Sequence, residues 1–117
     1  MQETIRILMT DDHPIIIEGY QNTLLATKKE SQDLIIDIAN NCDQSVDLMN
    51  KSIEDEKEYN ILFMDISLPP SSDGKLTSGE DLSKHARTIL PDSKIIILTM
   101  FNEPFRIHNI IKEIKPE

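Results

Sequence analysis

Ile5-Arg6-Ile7-Leu8-Met9-Thr10-Asp11-Asp12-His13-Pro14 is the stretch that decides the fold. A short apolar run stops at two carboxylates and meets a proline, which the first turn of a helix tolerates. Ile17, Tyr20 and Leu24 then recur at helical spacing, so the segment reads as strand, polar corner, helix. Three more runs of the same kind follow: Leu34 to Ala39, Ile61 to Ile66 with Asp65 inside it, and Ile95 to Met100. Their continuous apolarity suits strands buried on both faces of a parallel sheet. The spacing between runs, roughly 25–30 residues, leaves room for one crossover helix each.

Val46, Met49 and Ile53 supply the stripe of a second helix, with Asp43 or Ser45 as candidate caps. Ser78-Gly79-Glu80-Asp81 has the form of a capping box ahead of Leu82, Ala86 and Ile89. Asn102 can cap a fourth helix carrying Ile107, Ile110, Ile111 and Ile114, which Pro116 terminates. Alternation of strand and helix means an open, doubly wound α/β sheet, because right-handed crossovers place helices on both faces. Residues 68–79, rich in Pro, Ser and Gly, are the one long irregular segment this pattern predicts.

The composition narrows the function. The chain has 117 residues, the size of one domain, and 38% hydrophobic content, enough to bury a core. Twelve basic and 21 acidic residues leave a net charge of −9, which argues against a duplex-DNA surface on this chain. Three Phe, two Tyr and no Trp disfavour a base-stacking platform. Cys42 is the only cysteine, so neither an internal disulfide nor a CxxC metal site can form. The N-terminus has no basic segment ahead of its apolar run, and no run reaches the ~18 residues of a membrane span. A soluble, cytoplasmic domain is expected.

Ligands of open α/β sheets bind at the carboxyl ends of the strands. The polar residues that end or interrupt the runs are Asp11 and Asp12, Asp65, and Thr99. Strands one and three are expected to be neighbours, so the three carboxylates are expected to crowd one pocket. Repulsion and partial desolvation would then raise at least one pKa unless a cation intervenes. A few hard oxygen ligands with open positions describe a Mg²⁺ site of the phosphate-handling kind. Taken singly, an Asp pair after a strand is as often a cap with a solvated neighbour, and a strand Thr is usually structural. Asp65, set among Phe63, Met64, Ile66 and Leu68, is the hardest to explain without a partner.

Met9-Thr10-Asp11-Asp12-His13-Pro14, Phe63-Met64-Asp65-Ile66-Ser67-Leu68-Pro69 and Ile97-Leu98-Thr99-Met100 resemble the receiver domain of two-component response regulators. Asp11-Asp12-His13-Pro14 and Ile15-Ile16-Ile17-Glu18-Gly19-Tyr20 point to the branch with a LuxR/NarL-type DNA-binding output domain. The resemblance implies a flavodoxin-like sheet of order 2-1-3-4, with residues 1–117 forming a receiver. It further implies that Asp65 accepts a phosphoryl group from a histidine kinase or phosphotransfer protein. Asp11, Asp12, Asp65 and the backbone carbonyl of Ser67 would hold Mg²⁺, and Thr99 would be the switch hydroxyl. Ser67 and Phe101 fall where the family tunes dephosphorylation. Such a protein is a phosphoacceptor switch, not an enzyme with a separate substrate.

Two departures from the family pattern stand out. The loop after Asp65 is several residues longer than usual, and either covers the site or lies inert in solvent. The family's fifth strand, with its lysine, and fifth helix find no match in this chain, nor does the output domain; the expectation is a chain truncated after the fourth helix. The Ile95–Met100 strand would then be a sheet edge, and self-association as a homodimer through it or the fourth helix is expected. No direct DNA contact is expected of this part. The rival readings are a pseudo-receiver acting as a protein-interaction module, a phosphatase or phosphotransferase using Asp65 covalently, and a flavodoxin-like cofactor domain. A haloacid-dehalogenase-type site wants an acid where Ser67 stands, and no phosphate-cradling glycine loop follows the first strand. His13 reads as a helix-start residue, Cys42 as an ordinary thiol, and Met9, Met49, Met64 and Met100 as core filling.

Overall fold

The computed structural model describes residues 3–98. Its elements run β1 (Glu3–Thr10), α1 (Pro14–Thr27), β2 (Gln32–Ala39), α2 (Cys42–Glu54), β3 (Ile61–Asp65), α3 (Gly79–Ile89) and β4 (Lys94–Leu98). The strands form one parallel sheet, as the alternation predicted, and its order β2-β1-β3-β4 is the one the receiver resemblance implied. Thr99, Met100, Phe101 and the expected fourth helix lie outside the described residues.

The two-residue period of the strands divides the core. Leu8, Leu62, Met64, Ile95 and Ile97 face α2 and α3, where Met49, Leu82 and Ala86 complete a fully buried cluster. Ile7, Met9, Phe63 and Leu98 face the other way and meet Ile17 of α1. Met9, Met49 and Met64 are core residues, as expected.

The expectation of strands buried on both faces holds for β3 and fails for β2. Ile35 is 39% exposed, because β2 is an outer strand of the sheet and only part of it is roofed by α2. Tyr20, expected on the buried stripe of α1, is also 39% exposed and leans its ring against Phe63 at 6.2 Å. Two helix starts differ from the sequence reading. Asn41, not Asp43 or Ser45, caps α2 by accepting the Gln44 N–H at 2.8 Å. Ser45 instead turns inward to share a buried hydrogen bond with Thr10, 2.9 Å between hydroxyl oxygens. Ser78 does cap α3, but Asp81 reaches past it to accept the N–H of Thr77 at 3.0 Å.

The long loop is irregular, as predicted, yet it is not a loose strand of chain. The Ser71 N–H donates to the Leu76 carbonyl at 2.7 Å, and Gly74 takes the left-handed turn position at φ 73°. The loop is fastened to α2: the Ser72 N–H donates to the Asp43 carboxylate at 3.1 Å, and the Cys42 thiol to the Pro69 carbonyl at 3.5 Å. Leu76 packs on the α2–α3 core.

Candidate functional site

Register places the acidic residues side by side. Thr10 pairs with Met64 and Asp65 with Leu98, so the residues after Thr10 emerge beside Asp65 at the carboxyl end of the sheet. The Asp11 N–H is held by the Ala39 carbonyl at 3.0 Å, which extends the ladder one residue beyond β1. Carboxylate oxygens of Asp11, Asp12 and Asp65 and a ring nitrogen of His13 all lie within 4.8 Å of one another. The three carboxylates predicted to share a pocket do share one.

Asp65 is 1% exposed. Its Oδ1 accepts the Ser67 N–H at 3.1 Å. Its Oδ2 is buried with no hydrogen-bond partner among the described residues; the nearest cation is His13 Nδ1 at 3.5 Å, without hydrogen-bond alignment. Burial pushes the Asp65 carboxyl above its ordinary range; the Ser67 N–H opposes this, and the charges of Asp11 and Asp12 add to it. The direction is the one the crowding of carboxylates predicted. Burial, rather than repulsion, is its largest cause.

His13 occupies the helix-start position expected of it, as the N-cap of α1, but its side chain makes no cap. Instead Nδ1 lies 2.8 Å from Asp11 Oδ1 and 2.9 Å from Asp12 Oδ1. Hydrogen bonding to Asp11 holds the imidazole above its usual pKa, and the neighbouring carboxylates reinforce it. The sequence reading kept His13 out of the site. Its adjacency to the Asp pair was the available signal, but only the turn that folds the ring back over both carboxylates brings it in.

Gly79 was also missed. A Cβ there would stand 1.9 Å from the Asp65 carbonyl oxygen and 2.8 Å from Ile66 Cα, so the start of α3 rests on the backbone that carries Asp65. Its N–H donates to the Ile66 carbonyl at 3.3 Å. Ser67, the residue that holds Asp65 Oδ1, is itself exposed.

The donor set fits a hard divalent cation. Three carboxylates converge, and among the described residues one oxygen is buried and unpartnered and the neutralising group is a single imidazole. Asp11, Asp12 and Asp65 are the residues that could hold it.

No family model matches the chain. It is 26% identical over 108 residues to the oxygen regulatory protein NreC of Staphylococcus epidermidis, an alignment covering 92% of this chain and 44% of NreC. The fold is shared with the RcsB response regulator of Salmonella typhimurium, at a TM-score of 0.71 and 23% identity over 97% of this chain and 50% of that one. It is shared equally with the bacteriophytochrome response regulator AtBRR, at a TM-score of 0.69 and 16% identity over 97% and 78% of the two chains. The chain spans less than half the length of the curated relatives it matches.

Proposed function

We infer that this chain, a receiver domain homologous to those of response regulators, is a phosphorylation switch with Asp65 as its phosphoacceptor. The observation that carries the reading is the buried, unpartnered Oδ2 of Asp65 beside Asp11 and Asp12. A carboxylate so placed is already ionisable without a general base and has one oxygen free to act as a nucleophile. The phosphodonor is a histidine kinase or phosphotransfer protein. An Asp65 oxygen forms the bond to phosphorus as the bond to the donor imidazole breaks, and that nitrogen leaves with the electron pair.

Mg²⁺ held by Asp11, Asp12, Asp65 and the Ser67 carbonyl would neutralise charge on the phosphoryl oxygens. The chain's own residues do the positioning. The Ser67 N–H fixes the rotation of the Asp65 carboxylate, and Gly79 lets α3 close against its backbone. His13 screens Asp11 and Asp12 from each other when no metal does. Thr99, outside the described residues, is proposed as the hydroxyl that responds to the new phosphoryl group. In the longer protein the readout would be a DNA-binding output domain, with residues 1–117 as the receiver, working in the cytoplasm. Among the described residues no helix is long and apolar enough to cross a membrane. Self-association along β4 or the fourth helix belongs to the same reading.

Intact-mass spectrometry after incubation with a small-molecule phosphodonor tests the reading. One phosphoryl adduct that needs Mg²⁺ and disappears in Asp65→Asn is expected. An adduct that persists in Asp65→Asn would overturn the assignment of Asp65. Absence of any adduct, with Mg²⁺ binding retained, would favour the pseudo-receiver.

A further inference from the structure

We propose that the cavity beneath the C-terminal end of α2 is a binding site for a small organic monoanion with an apolar body, such as an arylalkyl carboxylic acid. It lies on the α2 face at the other half of the sheet from Asp65. Arg6, in its wall, precedes Asp11 on the same strand by a span of ~16 Å at the usual rise per residue.

The cavity has a volume of about 360 Å³, within the range that holds small ligands. Its apolar side is Ile35 and Leu48, and the half-exposed Ile35 is the large hydrophobic residue that β2 leaves uncovered. Its polar side holds three cations, Arg6, Lys51 and Lys57, against two carboxylates, Asp37 and Asp55. Both carboxylates are engaged: the Tyr59 hydroxyl donates to Asp37 Oδ2 at 2.6 Å, and Asp55 lies 3.8 Å from Lys51. Arg6 and Lys57 pair with no carboxylate among the described residues. In a chain of net charge −9, a concave surface with two uncommitted cations and an apolar floor is complementary to an amphiphilic anion. One surplus positive charge matches one negative charge on the ligand, and Asp37 disfavours a dianion.

The wall is held in place before any ligand arrives. The Arg6 N–H donates to Asn60 Oδ1 at 2.8 Å and the Arg6 carbonyl accepts the Asn60 N–H at 2.8 Å. Tyr59 is 6% exposed, and its carbonyl accepts the Ser93 hydroxyl. Glu56 takes the left-handed conformation, φ 57°, that ends α2 and brings Lys57 to the rim. A non-glycine residue at this φ is a conformational cost that the surrounding structure sustains.

The test is a ¹⁵N-correlation NMR titration of the 117-residue chain with phenylacetate, and in parallel with the uncharged phenylacetamide. Phenylacetate should give saturable shifts at the amides of Ile35, Leu48 and Lys57, with a dissociation constant of about 1 mM or below. Phenylacetamide should bind about tenfold more weakly, and so should phenylacetate to Arg6→Gln or Lys57→Gln. Lys57 is exposed, so its variant tests the site even if Arg6→Gln fails to fold. Shifts that do not saturate, equal binding of the amide, or unchanged affinity in Lys57→Gln would each overturn the proposal.

Discussion

Replacing Gly79 with alanine drives a methyl group into the backbone that carries Asp65. The added carbon would sit 1.9 Å from the Asp65 carbonyl oxygen and 2.7 Å from its carbon, so the overlap is more than an ångström. The opposing atoms are main chain and have no rotamer to yield, so α3 must move. Moving it strains the Gly79 N–H bond to Ile66 and the bond from the Ser83 hydroxyl to the Gly79 carbonyl at 2.7 Å. It also loosens Leu82 and Ala86, both fully buried. Overpacking costs about 1–3 kcal/mol, and a disturbed hydrogen bond about 1 kcal/mol more. We expect a net loss of about 3 kcal/mol. At a urea slope of about 1.5 kcal/mol/M, the midpoint falls by about 2 M. Gly19→Ala is the control: nothing lies within 4 Å of its new methyl, and α1 should gain about 0.5–1 kcal/mol from the better helix former. Urea denaturation of the two variants decides the matter. A Gly79→Ala stability within about 0.5 kcal/mol of the parent, or a shift of the same sign in both variants, would refute the close-packing argument.

Other outcomes follow from the same structure. Mg²⁺ at about 100 times its dissociation constant should stabilise the parent by about 2.7 kcal/mol in urea denaturation, and Asp12→Asn should lose most of that gain. Asn41→Ala should cost about 1 kcal/mol, and Ser78→Ala less, since their capping bonds are 2.8 Å and 3.4 Å; helix content and urea midpoints would rank them. Tyr59→Phe leaves Asp37 Oδ2 without its donor and should cost about 1–3 kcal/mol in the same assay. The hydroxyl of Thr77, then its N–H, holds the Asp81 carboxyl below the ordinary range. Its contribution is therefore complete above the unfolded value near ~4 and is lost as pH falls through the lowered one. Asp81→Asn should flatten that acid limb of the stability profile.

The order of elements and the acidic pocket were legible because both rest on local patterns. Four apolar runs, each closing on a polar residue, dictate parallel strands whose carboxyl ends share their ligands, and Asp11, Asp12 and Asp65 follow from that alone. Helix caps were less legible. Asn41 and Asp43 are both good cap residues two positions apart, and backbone geometry chooses between them: Asn41 is extended at ψ 174°, while Asp43 is already helical and free to hold Ser72. The loop after Asp65 read as irregular, which it is. Its attachment to α2 depends on a carboxylate 29 residues earlier in the chain.

The sequence by itself determined the parallel α/β sheet, the two-sided core and the identity of the acidic residues, since these follow from periodicity and the handedness of crossovers. The order of the strands was only implied by the resemblance to receiver domains. Tertiary structure alone decided that His13 turns into the site, that Gly79 touches the Asp65 backbone, and that Arg6, Lys57 and Ile35 share a cavity. Each of these is a distance between atoms on different elements, or across a turn whose dihedral angles composition does not set. Periodicity specifies which face a residue occupies; only packing specifies what stands opposite it.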